Sequence, residues 1–488
     1  MSTNKKEKKE KDNDLVELHI ESTNPSDSNR EIPIDTSEKL SLLIESVARN
    51  ACLPRIHNVE REPLDAKNIE PFAKTVEKSL TILDVILDRF TRKQIKAIKH
   101  LDPLEKCAVM NLLLLCGEHQ HIFVEWKCDQ PYEDKWVKEV NQLVNKSSPW
   151  ITEETYRLSL EILMKLETMT RRTVRELITL YGELCLKKLS KQGATATLWS
   201  QHVATTHCYL WILVNIDATH LFSHIKELKS MDLICALLTH HSSEYKLEAL
   251  RACLCLMSKL SDEDISLLFE SEKLIRKLKS TLYHSDTSLI LPATHCIIKY
   301  MTARRNLRPN RNDAMLVEYE WGLIDELREI LIPFIETTEQ TAYIDAFSVM
   351  IGFTRICTLR WHYPIMQIIE KAIPRVNIYS SILHLFETYL LNTWPYIRNF
   401  SEQYCTFLFK ILMESETEEQ QEGVYKCFYL IKHQCDKQDD RLQTFLSNVR
   451  AQVKNKKIAK LIDHEFDEKQ YEAKYFSFDQ QEDETKNL

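Results

Sequence analysis

The side chains in this chain best suited to chemistry are soft metal ligands: Cys107, Cys116, His119, His121 and Cys128 lie in one short stretch. Thiolate and imidazole in sets of four are what a tetrahedral zinc site uses. Cys116 and His119, at i and i+3, share one face of a helix. His121 falls about 140° round from Cys116, at about 100° per residue. Closing a tetrahedron would require the helix to break there, so the expectation is a buried Cys beside partly exposed histidines, with no metal ligands assigned. Asp436, Asp439 and Asp440 form an acidic run. Holding magnesium in an all-α cavity takes two such clusters facing each other, and no second exists. The run reads as a polar loop capping a helix at Arg441. His240 and His241 precede Ser242 and read as a helix end, where cations suit the helix dipole.

Phosphate-cradling loops are excluded. The two closest glycines, Gly182 and Gly193, are eleven positions apart, so neither G-x-G-x-x-G nor a Walker loop is present. G-x-S-x-G is absent for the same reason, and H-E-x-x-H does not occur. The expectation is a chain without catalytic residues, cofactor or small-molecule substrate. Near the C-terminus, Tyr471, Tyr475, Phe476 and Phe478 alternate with Glu472, Asp479, Glu482, Asp483 and Glu484. Aromatics among acids can dock as a short linear motif, or pack the last helical turn onto the body.

The elements that position these residues are helical. Only 6 of 488 residues are Gly, roughly 1% against an average of about 7%. Hairpins and tight turns need φ > 0, which Gly supplies at least cost. At this length one compact core gives way to separate domains or to a repeat stack. With 44% hydrophobic residues the core is extensive. The net charge of −8 gives no global attraction for nucleic acid. No apolar run is read as reaching the roughly 18–20 residues that span a bilayer. Fourteen cysteines are scattered through apolar stretches with no C-x-x-C pair, which reads as buried free thiols in a reducing compartment: cytoplasm, nucleus or both.

Phe72, Val76, Leu80, Leu83, Leu87 and Phe90 draw one apolar stripe. Leu158, Ile162, Leu166 and Met169 repeat it. Thr152 and Ser261 read as N-caps followed by acids. From about Ser243, apolar helices over 247–260, 288–301, 343–358, 380–391 and 424–435 recur about every 40–55 residues with another helix between them, close to HEAT and armadillo units. Thr302 to Asn312 reads as a basic inter-helix loop. The expected fold is all-α, an α-solenoid of HEAT/armadillo-like helical hairpins. The expected divisions are a charged disordered tail (1–34), N-terminal helical repeats (35–240), C-terminal repeats (241–466) and an acidic tail (467–488). The lysines of the first tail, interleaved with Glu7 and Glu10, read as solvated in preference to a nuclear signal.

Three stretches of the second half carry a resemblance to a known family: Leu247–Met257 running into Ser271–Tyr283, the Leu359–Pro374 segment, and the junction Leu391-Asn392-Thr393-Trp394-Pro395-Tyr396-Ile397. They resemble the Tti-two family (TELO-two-interacting protein two) over about 240–465, with Tyr396 where that family usually shows Arg. The resemblance implies an α-solenoid subunit of the Triple-T (TTT) complex, partnered by Tti-one and the TELO-two protein. It further implies action with the ninety-kilodalton heat-shock chaperone and the R2TP assembly, and phosphatidylinositol-3-kinase-related kinases (TOR, ATM, ATR) as clients. The rival expectation is a HEAT-repeat transport or nuclear adaptor that holds cargo peptides.

The junction has its own logic. A residue before proline is pushed out of the α region, so a helix ending near Asn392 stops at Trp394, and Asn399 with Glu402 is expected to cap the next one. Trp361, Tyr363, Trp394 and Tyr396 are the expected protein-binding residues, because Trp and Tyr are enriched among interface hot spots. The competing expectation for Trp394 is a core wedge between repeats.

Overall fold

A computed structural model of the chain describes residues 66–94, 103–124, 133–142, 148–269, 272–308, 317–337, 341–435, 440–464 and 466. Among these no strand occurs, and helices pack on helices throughout. The chain is all-α. It divides into two compact units, 1–308 and 309–488, with the division inside the basic segment after Thr302. The charged N-terminal tail, the acidic C-terminal tail with its aromatics, Cys128 and residues 436–439 lie outside the described residues.

The described helices of the first unit are α1 (Ala66–Gln94), α2 (Pro103–Gly117), α3 (Glu133–Gln142), α4 (Glu153–Thr170), α5 (Val174–Lys191), α6 (Val203–Asn215), α7 (Ala218–Glu227), α8 (Ser230–Thr239), α9 (Ser243–Lys259), α10 (Asp262–Phe269), α11 (Glu272–Thr281) and α12 (Ile290–Asn306). The stripe in α1 behaves as its spacing predicts: Val76, Leu80, Leu83 and Leu87 are buried and the helix packs along α4. Thr152 begins α4 with a reciprocal cap, its Oγ1 accepting from Thr155 N at 3.1 Å while Thr155 Oγ1 accepts from Thr152 N at 3.0 Å. Ser261 caps α10 through Asp264 N at 3.1 Å. His240 follows the end of α8, as expected. Helix α6 is buried on nearly every side, held between α2, α5 and α9.

The second unit contains α13 (Glu318–Thr337), α14 (Thr341–Thr354), α15 (His362–Ala372), α16 (Tyr379–Asn392), α17 (Ile397–Glu414), α18 (Glu418–Gln434), α19 (Asp440–Gln452) and α20 (Lys456–Ile462). The repeat read from the sequence is visible in the packing inside each unit. In the first, α9 lies against α12, with α10 and α11 between them in sequence. In the second, α14, α16 and α18 lie side by side, and α15 and α17 are the intervening helices. The row is close: a Cβ on Gly423 would stand 3.0 Å from Leu383.

Three expectations need correction. The basic segment from Thr302 is not a loop throughout, because α12 continues to Asn306. The stretch 341–372 is long and apolar enough to cross a membrane, with a mean hydropathy of 1.3 over its best window. It is nevertheless two helices joined by a 3-10 segment (Arg355–Trp361) and half buried within the unit. The break falls where Arg355 adopts φ 51°, a left-handed conformation that a regular helix does not contain. Asn399 is not an N-cap: α17 already begins at Ile397 without a side-chain cap, and Glu402 pairs instead with Arg441 at 2.6 Å. The 3-10 turn Trp394–Tyr396 accounts for this, because it starts the helical path at Pro395, whose fixed φ suits a first turn.

Candidate functional site

The four expected binding residues separate by burial. Trp361 is 1% exposed, whereas Tyr363 is 76%, Trp394 57% and Tyr396 45% exposed. Trp361 lies edge-on to Trp321, ring centroids 6.0 Å apart, while Arg360 covers the Trp321 face at 4.8 Å. Trp361 is therefore core.

The other three are held outward by what lies beneath them. His362, next to Tyr363, stacks on Phe400 of α17 with centroids 4.0 Å apart. Its Nδ1 accepts from Tyr389 Oη of α16 at 2.8 Å, and Tyr404 Oη lies 3.4 Å from Tyr389 Oη. Burial lowers the His362 pKa, consistent with a neutral ring accepting that bond. This cluster locks the start of α15 onto α16 and α17. At the end of α16, Thr393 is buried and its Oγ1 donates to the Tyr389 carbonyl at 2.7 Å, and the Thr393 carbonyl accepts from Tyr396 N at 2.9 Å. With Thr393 turned in and Ile397 buried, the residues between them, Trp394, Pro395 and Tyr396, face solvent. Trp394 is not a core wedge. A large exposed indole beside an exposed phenol, on a rigid turn, is the arrangement that interfaces use.

A second feature lies in the first unit and left no mark in the sequence. After Gly117 the chain leaves the helix and runs without regular secondary structure through 120–124. Gly117 permits the exit: a Cβ there would stand 2.8 Å from both Cys208 Sγ and Trp211 Cε3. Distant side chains satisfy the backbone of this irregular stretch. Trp150 Nε1 donates to the Glu118 carbonyl at 3.1 Å, His207 Nε2 to Gln120 at 2.6 Å and Arg251 to Ile122 at 2.5 Å. Asn141 both donates to and accepts from Val124, at 3.0 and 2.8 Å. The buried Arg251 guanidinium is pushed down to about 10 by desolvation.

This segment forms one wall of a cleft of about 320 Å³, with Phe123, Tyr156, Leu160, Met164 and Lys259 also in its lining. Three of its polar groups serve local structure. Lys259 Nζ donates to the Val214 carbonyl, Glu167 accepts from Val174 N at 2.7 Å and Ser258 Oγ donates to Cys255 O at 2.8 Å.

The soft-ligand stretch behaves differently from the expectation in two respects, the first being that His119 is buried and not partly exposed. The helix does break, at Gly117, just before His119 and His121. Among the described residues, however, Cys116, His119 and His121 do not converge on a common point. Burial raises the Cys116 thiol strongly and lowers His121 to about 4. The described cysteines are free and, except for Cys357, buried. Desolvation takes Cys185 to about 12 and Cys235 to about 11, which suits small hydrophobes and not nucleophiles.

No family model matches this chain, and no curated protein does. Among solved structures, an engineered protein is similar over 82% of this chain and 96% of its own, at 13% identity and a TM-score of 0.35.

Proposed function

We propose that the chain is a non-catalytic helical-repeat scaffold that binds other proteins, and that it serves as the Tti-two-type subunit of a TTT complex. The observation that carries this reading is the exposed Trp394-Pro395-Tyr396 turn, held rigidly by Thr393 and flanked by Ile397. Exposing an indole without a partner brings no gain in folding, whereas Trp and Tyr at a fixed site are frequent anchors of interfaces. The same turn is the most particular of the stretches that resemble the family. In that role the chain would join Tti-one and the TELO-two protein, and act with the ninety-kilodalton heat-shock chaperone and R2TP on kinases of the TOR, ATM and ATR class. Glu167 and Ser258 of the cleft are engaged in local backbone bonds. Affinity purification of the tagged full chain from its own cells, followed by mass spectrometry, tests the reading. Tti-one and TELO-two proteins are the expected co-purifying partners. Their absence, with karyopherin-type cargo in their place, would favour the transport-adaptor alternative.

A further inference from the structure

One cluster of ligating side chains stands apart from every feature discussed above. Glu183 projects from α5, and His224 and Glu227 from α7. One ligand atom from each lies within 4.8 Å of those of the other two. His224 and Glu227, at i and i+3, share a helix face. His220 stands one turn earlier on α7, its ring centroid 6.4 Å from that of His224.

Three further facts bear on what the cluster would accept. His224 Nδ1 is enclosed and has no hydrogen-bond partner. The cluster sits in the last turn of α7, where the helix dipole favours positive charge. The nearby cation is Lys187, which pairs with Glu183 on the surface and feels the charge of Glu227. An exposed i,i+4 pair of that kind is weak and readily exchanged.

We propose that Glu183, His224 and Glu227 form a three-ligand site for a divalent transition-metal ion of the zinc class, with water completing the shell. Imidazole with carboxylate is a borderline donor set that zinc accepts, and magnesium and calcium, which prefer all-oxygen shells, do not. Bonds of about 2.0–2.1 Å place tetrahedral ligand atoms roughly 3.3–3.5 Å apart. The separations here close by small rotations of two exposed glutamates, after Lys187 releases Glu183. The bound ion would tie α7 to α5.

The test uses the full chain, with thiols kept reduced. Zinc titration by calorimetry should show one saturable equivalent, insensitive to excess magnesium. Cobalt in place of zinc should give ligand-field bands without a thiolate charge-transfer band. His224→Ala and Glu227→Gln should each weaken binding by at least about tenfold. Glu227→Gln alters only an exposed side chain, so it reports even if His224→Ala fails to fold. No saturable uptake, a thiolate band, or unchanged affinity in Glu227→Gln would each overturn the proposal.

Discussion

His207 and Glu248 form a buried pair in the first unit, Nδ1 to Oε1 at 2.6 Å. Because the Gln120 carbonyl at the other ring nitrogen can only accept, His207 Nε2 carries a hydrogen, and a further proton lies between Nδ1 and the carboxylate. Ser148 Oγ adds a contact to Nδ1 at 3.2 Å. One imidazole thus joins α6, α9 and the 120–124 segment.

Removing that imidazole leaves Glu248 buried without its partner and the Gln120 carbonyl without a donor. His207→Ala should therefore cost about 3–5 kcal/mol, the usual range for breaking a buried ionisable pair. Glu248→Gln keeps an acceptor opposite Nδ1 and should cost less. Urea unfolding monitored by circular dichroism measures both. A loss below about 1 kcal/mol for His207→Ala would show that the segment is held mainly by other contacts.

Gly117 offers a sharper steric test. A methyl group there meets Cys208 Sγ and the Trp211 ring at 2.8 Å, and neither can swing away from a buried position. Gly117→Ala should cost about 1–3 kcal/mol, the price of overpacking. If it instead stabilises the protein, as Gly→Ala does in an unconstrained helix, the close approach of α2 to α6 is wrong.

The pH profile follows from two histidines. Desolvation lowers His121 to about 4 and His295 to about 3, against about 6.5 in an unfolded chain. Between those limits the unfolded state binds more protons than the folded one, so stability falls as pH falls from about 6.5 towards 4. The melting temperature should drop across that window. His121→Phe, which keeps the ring against Tyr156 at a 4.9 Å centroid distance, should flatten part of the slope. An equally steep slope in that variant would assign the acid sensitivity elsewhere.

Much of the fold was legible because its signals are local. The stripe Val76-Leu80-Leu83-Leu87, the caps at Thr152 and Ser261, and the recurring apolar helices from Ser243 onward all act within a few residues or one repeat. Asn399 misled because Pro395 opens the helical path earlier than a side-chain cap would. The 120–124 segment was illegible for the opposite reason: its backbone partners, His207 and Arg251, come from helices far along the chain. At the candidate site, residue type pointed to Trp361, Tyr363, Trp394 and Tyr396 alike. Only packing separates the buried Trp361 from the other three. The Glu183, His224 and Glu227 cluster was missed because its ligands lie on two helices, with only an i,i+3 pair in sequence.

We propose that the Trp394–Tyr396 turn binds partners while Trp361 holds the unit together. It is tested by comparing three full-length variants, Trp394→Ala, Tyr396→Ala and Trp361→Ala, for melting temperature and for co-purification of Tti-one and TELO-two proteins. Surface truncations away from structural features change stability by about 0.5 kcal/mol or less, whereas a buried Trp→Ala costs about 3–5 kcal/mol. Hot-spot loss costs about 2 kcal/mol or more in binding, roughly 30-fold in affinity. The account predicts that Trp394→Ala and Tyr396→Ala melt like the parent protein but lose their partners, and that Trp361→Ala melts early. Full partner recovery by both Trp394→Ala and Tyr396→Ala, at unchanged stability, would contradict it.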